Sequence, residues 1–398
     1  MRLGYLVPQF PGQTHIFYWR EIAELEARGI AVDLLSTRLP PPGLVAHDWS
    51  REAIARTTYL GAADPLSALR AAPRQPWAAL LREARREGRA FARDVALALP
   101  AAGRLLRHAR ARGLDHVHVH SCARAALVAA LAEAAGGPRW SMTLHGPLSD
   151  YGAGQRFKWR RAAFATIITE RLRREVEDAL APDLPPVIGI QPMGVDTDRL
   201  VRPAPYVPWG PGRPLRLFAC GRLNVVKGHQ DLMQAVRLLV EAGRDVTLRI
   251  AGQDDAGGSG YRAELEARID ALGLRDRVRL LGAVDEGAVR DGLVRADIFA
   301  LASWHEPLGV AYMEAMSCAV PTIGTRAGGV TELIEDGISG LLVPPRDPPA
   351  LAAAIARIAD DPDLALRLSA GGRARVETAF HAGRGADTLI RLIRQGAG

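Results

Sequence analysis

Glu306 and Glu314 stand eight positions apart in SWHEPLGVAYMEAM (303–316), around a turn that opens into a helix at Leu308, Gly309 and Val310. Carboxylates so placed can each grip hydroxyl groups, one ahead of the helix and one about a turn inside it. Between them the first N–H groups of the helix, reinforced by its dipole, favour phosphate. Gly309 has no Cβ to hold a ligand away from the backbone. Upstream, FACGRLNVVKGH (218–229) leaves a strand at Gly221 and presents Arg222 and, five residues later, Lys227, ahead of a helix starting near His229. A guanidinium fork and a compact ammonium can converge on one diphosphate. Cations at a helix start oppose its dipole, which is a further reason to expect an anion beside them. The set suits a ligand with hydroxyls at both ends and phosphates between, as in a sugar nucleotide. Neither the P-loop pattern nor a G-x-G-x-x-G after a strand occurs.

Only two lysines, Lys158 and Lys227, occur among the 51 basic residues. In a chain that uses arginine for generic positive charge, a lysine marks a position where a compact point charge is wanted.

Short apolar runs alternate with helical spacing along the chain, the signature of parallel α/β architecture. LGYLVP, AVDLLST, HVHVHS, WSMTLH, ATIITE and PVIGIQPMG read as strands in the first half. LRLFACGR, DVTLRIAG, RVRLLGAV, DIFALAS, VPTIGT and GLLVP do so in the second. Between the halves, RPAPYVPWGPGRP (202–214) holds five prolines and two glycines and reads as a linker. The expected fold is α/β, two Rossmann-like doubly wound domains over residues 1–197 and 198–372. Ligands are expected in an inter-domain cleft at the carboxyl ends of the strands. Gly371-Gly372 predicts an interruption in the helical stretch 362–393, and residues 373–398 are expected to form a helix crossing back to the first domain.

The 398 residues fit two domains of about 200 each. No apolar run approaches the roughly 20 residues that span a bilayer, and MRLGYLVPQF reads as a first strand rather than a secretory signal. Three widely spaced cysteines, Cys122, Cys220 and Cys318, point to a reduced, cytoplasmic protein without a structural metal. The net charge is +7, and nine arginines fall against three acids between residues 80 and 112. That segment predicts a solvated helical face or a patch for anionic lipid or a diphosphate-bearing partner, placing the protein at the inner face of a membrane. It has few aromatic platforms and no nucleic-acid reading motif, so nucleic acid is not an expected partner.

With these residues in place, the chain resembles the retaining, nucleotide-sugar-dependent glycosyltransferases of family four, which have the GT-B fold. The likeness rests on GR-x4-K (Arg222, Lys227), E-x7-E (Glu306, Glu314), AGGVTELIEDGISGLLVP (327–344) and PMGVDTDRL (192–200). QFPGQTHIFYWREI, VHVHSCARAA and TLHGPLSD look more specifically like exopolysaccharide members of the colanic-acid type. The chain departs from that pattern at Gly12-Gln13-Thr14-His15, where such members carry a Ser-Glu-Thr-Phe-like run, and at Pro307, where many have Gly.

The resemblance implies that Arg222 and Lys227 stabilise a departing diphosphate, that Glu306 grips the donor sugar and Glu314 the ribose, and that backbone N–H groups of Leu308, Gly309 and Val310 contact sugar and phosphate. It places His145 near the reacting carbon and the loop at Gly12 under the diphosphate. Gln13, His15 and His120 are the acceptor-side candidates. His116, His118 and His120 alternate along one strand and share a face; His120, at its carboxyl end, is expected to border the acceptor, the other two to be structural. Asp196-x-Asp198 reads as turn and N-cap carboxylates rather than a metal motif. The expected activity is retaining, metal-independent sugar transfer from a nucleoside diphosphate sugar, UDP first and GDP next, to the hydroxyl of a saccharide or lipid-linked acceptor, with no other cofactor. Alternatives are a small secondary-metabolite acceptor, another GT-B enzyme such as a nucleotide-sugar 2-epimerase, and a non-catalytic sugar-nucleotide-binding protein.

Overall fold

The computed structural model describes residues 1–12, 14–41, 48–61, 64–254 and 260–396. The chain divides into two compact units, Met1–Pro192 with Gly383–Gly398, and Met193–Ala382. The first boundary falls at Pro192/Met193 rather than at 197/198, and the return begins at Gly383 rather than at 373.

The first unit is built on β1 (Arg2–Gln9), β2 (Ala31–Arg38), β3 (Thr58–Tyr59), β4 (His116–Val119), β5 (Arg139–Leu144), β6 (Ala165–Ile167) and β7 (Ile188–Ile190). They pair in parallel in the order β3-β2-β1-β4-β5-β6-β7. The two-residue β3 is too short to leave a periodic signal in the sequence. The second unit carries β8 (Leu215–Cys220), β9 (Val246–Ala251), β10 (Val278–Gly282), β11 (Ile298–Ala300), β12 (Thr322–Thr325) and β13 (Leu341–Val343). Their order is β10-β9-β8-β11-β12-β13, again all parallel. Strands β4, β6, β11, β12 and β13 are wholly buried because helices cover both faces, whereas β3, β7 and β10 at the sheet edges are mostly not.

Both sheets reverse direction beside their first strand, between β1 and β4 in one unit and between β8 and β11 in the other. Neighbouring loops diverge at such a point, and a crevice opens at the carboxyl ends of the strands. The residues after β1, β4, β8 and β11 are therefore the ones the fold gathers into sites.

Two expectations are corrected by packing. Residues 202–214 are not a free linker. Tyr206 and Trp209 pack on the second unit's core, the Tyr206 hydroxyl donates to the Asp297 carbonyl (2.8 Å), and Arg213 forks onto the Asp297 carboxylate (2.7 and 2.8 Å). The prolines stiffen a strap; they do not mark a hinge. The long helix is not broken at Gly371-Gly372 either, since Pro362–Ala379 runs through both glycines and the break comes at Phe380–Ala382. A Cβ on Gly371 would lie 2.1 Å from the Ile338 carbonyl oxygen, so the residue is needed for a close backbone approach. The helix Gly383–Gly396 then packs on the helix Ile16–Ala27, where Arg28 pairs with Asp387 (2.6 Å).

Among the described residues no helix is long and apolar enough to cross a membrane. Of the nine arginines in 80–112, Arg104 and Arg107 pair with Asp64 and Arg112 with Asp33. The remaining basic surface is concentrated on the helix Trp77–Glu87 and the first turns of Arg89–Arg112.

Candidate active site

In the second unit the loop after β8 turns at Gly221 and closes with a short 3-10 turn, Val225–Lys227, before the helix His229–Glu241. Gly228 caps that helix at φ +67, and a Cβ there would lie 1.9 Å from the Ala302 carbonyl oxygen. Only glycine lets the β8 and β11 loops approach this closely. The Trp304 N–H donates to the Val226 carbonyl (2.8 Å) and joins the loops further. Lys227 Nζ consequently sits 2.5 Å from Glu306 Oε2, with Ser303 Oγ donating to the same oxygen (3.3 Å). Glu306 is buried and Lys227 partly so, which shields the pair from solvent screening.

The helix Val310–Ser317 starts beside this pair. Its cap, Gly309, adopts φ +103, and a Cβ there would meet the Tyr312 ring at 2.4 Å. Gly328 approaches from the β12 loop, where a Cβ would lie 2.0 Å from the Glu306 carbonyl oxygen, and the Gly329 N–H donates to that oxygen (2.9 Å). The glycine pair of AGGVTELIEDG thus clamps the backbone of Glu306. Leu308 is buried under the turn and Val310 is partly exposed. Glu314 is buried inside the helix and faces Cys220 at the end of β8; burial first, and the Glu314 charge second, push that thiol up to about 12. Arg222 is exposed on the β8 loop, and its carbonyl accepts from Nε2 of the buried His229, whose imidazole is brought down to about 4 chiefly by burial. The fold therefore places Arg222, Lys227, Glu306, Leu308 and Gly309 on two adjoining loops of one unit, with Val310 and Glu314 on the helix that follows the second.

Gly12, His15, His120 and His145 belong to the first unit. Gly12 leaves room for the His15 ring, since a Cβ there would lie 2.5 Å from it. His120 Nδ1 and His145 Nε2 are 3.1 Å apart, and the rings stack at 5.3 Å. Gln13 lies outside the described residues. His116 Nε2 and His118 Nδ1 share the Ser141 hydroxyl (2.7 and 2.8 Å), and His118 Nε2 meets Thr143 Oγ1 (2.8 Å). His116 and His118 are thus tied into a buried hydroxyl ladder rather than presented to a ligand. Asp196 Oδ1 accepts from the N–H groups of Asp198 and Arg199 (3.1 and 2.9 Å), capping its own turn. Among the described residues no group of three or more His, Cys, Asp or Glu has the arrangement of a metal site.

Three features escaped the sequence. Lys158, the second lysine, is buried with Nζ 3.5 Å from the Tyr151 carbonyl and is lowered to about 8 chiefly by burial, so its survival marks packing in the first unit. Glu21 is 5% exposed and accepts a hydrogen bond from the Tyr5 hydroxyl (2.6 Å). A signal for Glu21 existed, because in IFYWREIAELEA it falls on the stripe of Tyr18, Ile22 and Leu25, where a charge is out of place. Tyr5 gave none, since a tyrosine within an apolar strand reads as core.

The family model described as Glycosyl transferases group 1 matches residues 210–375, inside the second unit. Alpha-D-kanosaminyltransferase of Streptomyces kanamyceticus is 32% identical over 183 residues, 46% of this chain and 46% of that protein. The amylovoran biosynthesis glycosyltransferase AmsK of Erwinia amylovora is 33% identical over 175 residues, 42% of each. The chain spans about half the length of the curated relatives it matches. Among solved structures, Anabaena Alr3699/HepE in complex with UDP and glucose superposes over 99% of this chain and 100% of its own, with a TM-score of 0.72 at 18% identity. This chain accordingly carries a group 1 glycosyltransferase domain within a GT-B fold.

Proposed function

We propose that the protein transfers a sugar from a nucleoside diphosphate sugar to a hydroxyl acceptor, with retention at the anomeric carbon and without a metal ion. The observation that carries this reading is the Lys227–Glu306 pair at the β8/β11 switch point, beside a helix start lined by Gly309. A diphosphate arriving there gives the Lys227 ammonium a second anion, and Arg222 supplies a fork from the same loop. Glu306 then directs its other oxygen to sugar hydroxyls, and Glu314 meets the ribose. Negative charge grows on the diphosphate as the glycosidic bond breaks, so fixed cations act mainly in the transition state. No carboxylate of this site stands out as a covalent nucleophile, and a front-face route fits, in which the leaving phosphate takes the acceptor's proton. From the first unit, His145 is assigned to the reaction, Gly12 to the donor, and His15 and Gln13 to the acceptor; His120, expected to border the acceptor, is instead 2% exposed, sealed by packing behind His145.

UDP is the first choice of nucleotide and GDP the second; the solved relative of the same fold holds UDP. A lipid-linked saccharide is the favoured acceptor, reached from a cytoplasmic, peripheral position. Leu66, Leu69 and Leu81 are 64%, 70% and 56% exposed, and Trp77 is exposed with them, on helices that also carry Arg70, Arg82, Arg85 and Arg86. Apolar side chains among arginines suit an anionic bilayer surface. Binding to phosphatidylglycerol vesicles but not to phosphatidylcholine vesicles, weakened by Leu69→Glu with Leu81→Glu, is the expected result; equal binding by the double variant contradicts it. The kanosaminyltransferase relative keeps a small acceptor as the second reading.

The function is tested by incubating the protein with UDP-, GDP- and ADP-sugars, alone and with acceptor saccharides, and assaying free nucleoside diphosphate and product anomer. Release of a nucleoside diphosphate with an α-linked product from an α-linked donor supports the reading. An isomerised nucleotide-sugar would identify an epimerase, and tight binding without turnover a non-catalytic protein.

A further inference from the structure

We propose that Glu21 and His120 form a buried relay that fixes the tautomer of His145, making Glu21 a positioning residue for the reactive face of the first unit. The proposal rests on the role assigned to His145 above for its functional meaning, and on geometry for its existence. Four side chains from separate elements meet in one line. The Tyr5 hydroxyl on β1 donates to Glu21 Oε2 (2.6 Å) on the helix Ile16–Ala27. His120 Nε2, just beyond β4, lies 3.1 Å from the same oxygen, an ion-pair distance at which its N–H is not aligned as a hydrogen bond. His120 Nδ1 in turn faces His145 Nε2 (3.1 Å), just beyond β5. Tyr5, Glu21 and His120 are 1%, 5% and 2% exposed, whereas His145 keeps some exposed surface. The line therefore runs from a sealed carboxylate outward to one accessible imidazole.

The surroundings are shaped for that carboxylate. From the C-terminal helix the facing residue is Gly385, and a Cβ there would lie 2.6 Å from Glu21 Oε1. The other titratable groups about the line are Tyr18 and His15 from the first helix and its cap, His118 from β4, and Tyr151 near His145. Burial, the largest cause, raises the Glu21 carboxyl, while Tyr5 and the imidazoles draw it back. Burial likewise holds His118, His120 and His145 well below the usual imidazole range, so all three are neutral at neutral pH. A buried acid costs several kcal/mol where an apolar side chain of similar size would pack more cheaply.

Proton accounting gives the consequence. With Glu21 ionised, His120 keeps its proton on Nε2, toward the carboxylate, and offers the Nδ1 lone pair. His145 must then place its own proton on Nε2, which leaves Nδ1 as its basic nitrogen. If Nδ1 gains a proton, the proton on His145 Nε2 can move to His120 Nδ1 along the hydrogen bond between them, and a small turn of the His120 ring brings its Nε2–H onto Glu21 Oε2 for the second move. Both imidazoles end neutral and the carboxyl ends as an acid, so the gained charge is cancelled in the interior.

The test is nitrogen-15 NMR of the histidine rings at pH 7.5, with His145 assigned by its loss in His145→Gln, in the intact protein and in Glu21→Gln. The relay predicts a wild-type His145 protonated at Nε2, and a mixed or Nδ1-protonated ring in Glu21→Gln with UDP binding unchanged. It also predicts an acid limb of kcat/KM moved about one unit to lower pH, because loss of the carboxylate disfavours the imidazolium. Identical tautomer and titration in the two proteins would overturn it. Should Glu21→Gln fail to fold, Tyr5→Phe, which removes only the donor to Glu21 and leaves its carboxylate a better proton acceptor, must move the acid limb the opposite way, to higher pH, and no movement there overturns the relay equally. Absence of turnover with every nucleotide-sugar would remove the functional reading and leave the tautomer measurement to decide the relay alone.

Discussion

In the first unit the loops after β1 and β4 bring imidazole, phenol and one carboxyl into mutual contact, nearly all of it sealed from water. In the second unit the loops after β8 and β11 are held together by glycine backbone, and they present an ammonium, a carboxylate and a helix start. The same topology thus builds two different instruments. Buried neutral imidazoles can place and move protons, whereas fixed charge beside open backbone can hold a diphosphate and stabilise it as it leaves. Glycine explains much of the difference, because Gly228, Gly309 and Gly328 each stand where a Cβ would strike a neighbouring loop or ring.

The largest effect that would sharpen this contrast is expected from Lys227→Ala. Turnover should fall on the order of 10²–10³-fold if the ammonium acts as a transition-state stabiliser. Near-normal kcat in a folded variant would move the chemistry out of the second unit. Glu314→Gln should act on binding instead, weakening the nucleotide by about tenfold, the loss of one hydrogen bond to a charged group, with kcat nearly kept. Calorimetry with UDP checks it, and equal affinity would detach Glu314 from the ribose.

The two units should also part company in acid. In the first, His116 is lowered to about 4 and His118, His120 and His145 are lowered too; in the second, His229 is lowered to about 4. A depressed imidazole contributes stability that is complete above its unfolded pKa and is lost as pH falls toward the folded one. A group held near 4 thus gives up about 2 kcal/mol by pH 5. The raised Glu21 carboxyl has the opposite sign, its contribution being lost as pH rises, so it does not cause the acid loss. Hydrogen exchange between pH 7 and 5 should show the first unit's helices losing protection sooner, and simultaneous loss would contradict the contrast. The smallest effect belongs to Asp196→Ala, outside both sites, which should cost about 1 kcal/mol through its turn and leave turnover unchanged. A large loss of turnover there would revive a metal role for Asp196-x-Asp198.

The two instruments were not equally legible in the sequence. The placement of Arg222, Lys227, Glu306 and Glu314 was readable because each lies within a few residues of a strand end or helix start. Twelve of the thirteen strands were readable from apolar runs; two-residue β3 was not. The Tyr5–Glu21–His120–His145 line was hidden because its members come from four elements far apart in the chain, joined only by the register of β1, β4 and β5. Gly371 and the prolines of 202–214 misled for a common reason. Local rules read them as breaks, while tertiary packing uses one for a close approach and the others for a strap.

Which switch point takes the nucleotide is tested most directly by hydrogen exchange with and without saturating UDP. Protection concentrated in 221–230 and 303–316, and absent from those segments in Lys227→Ala, is the predicted result. Protection confined to 10–20 and 118–124 in the first unit would contradict it.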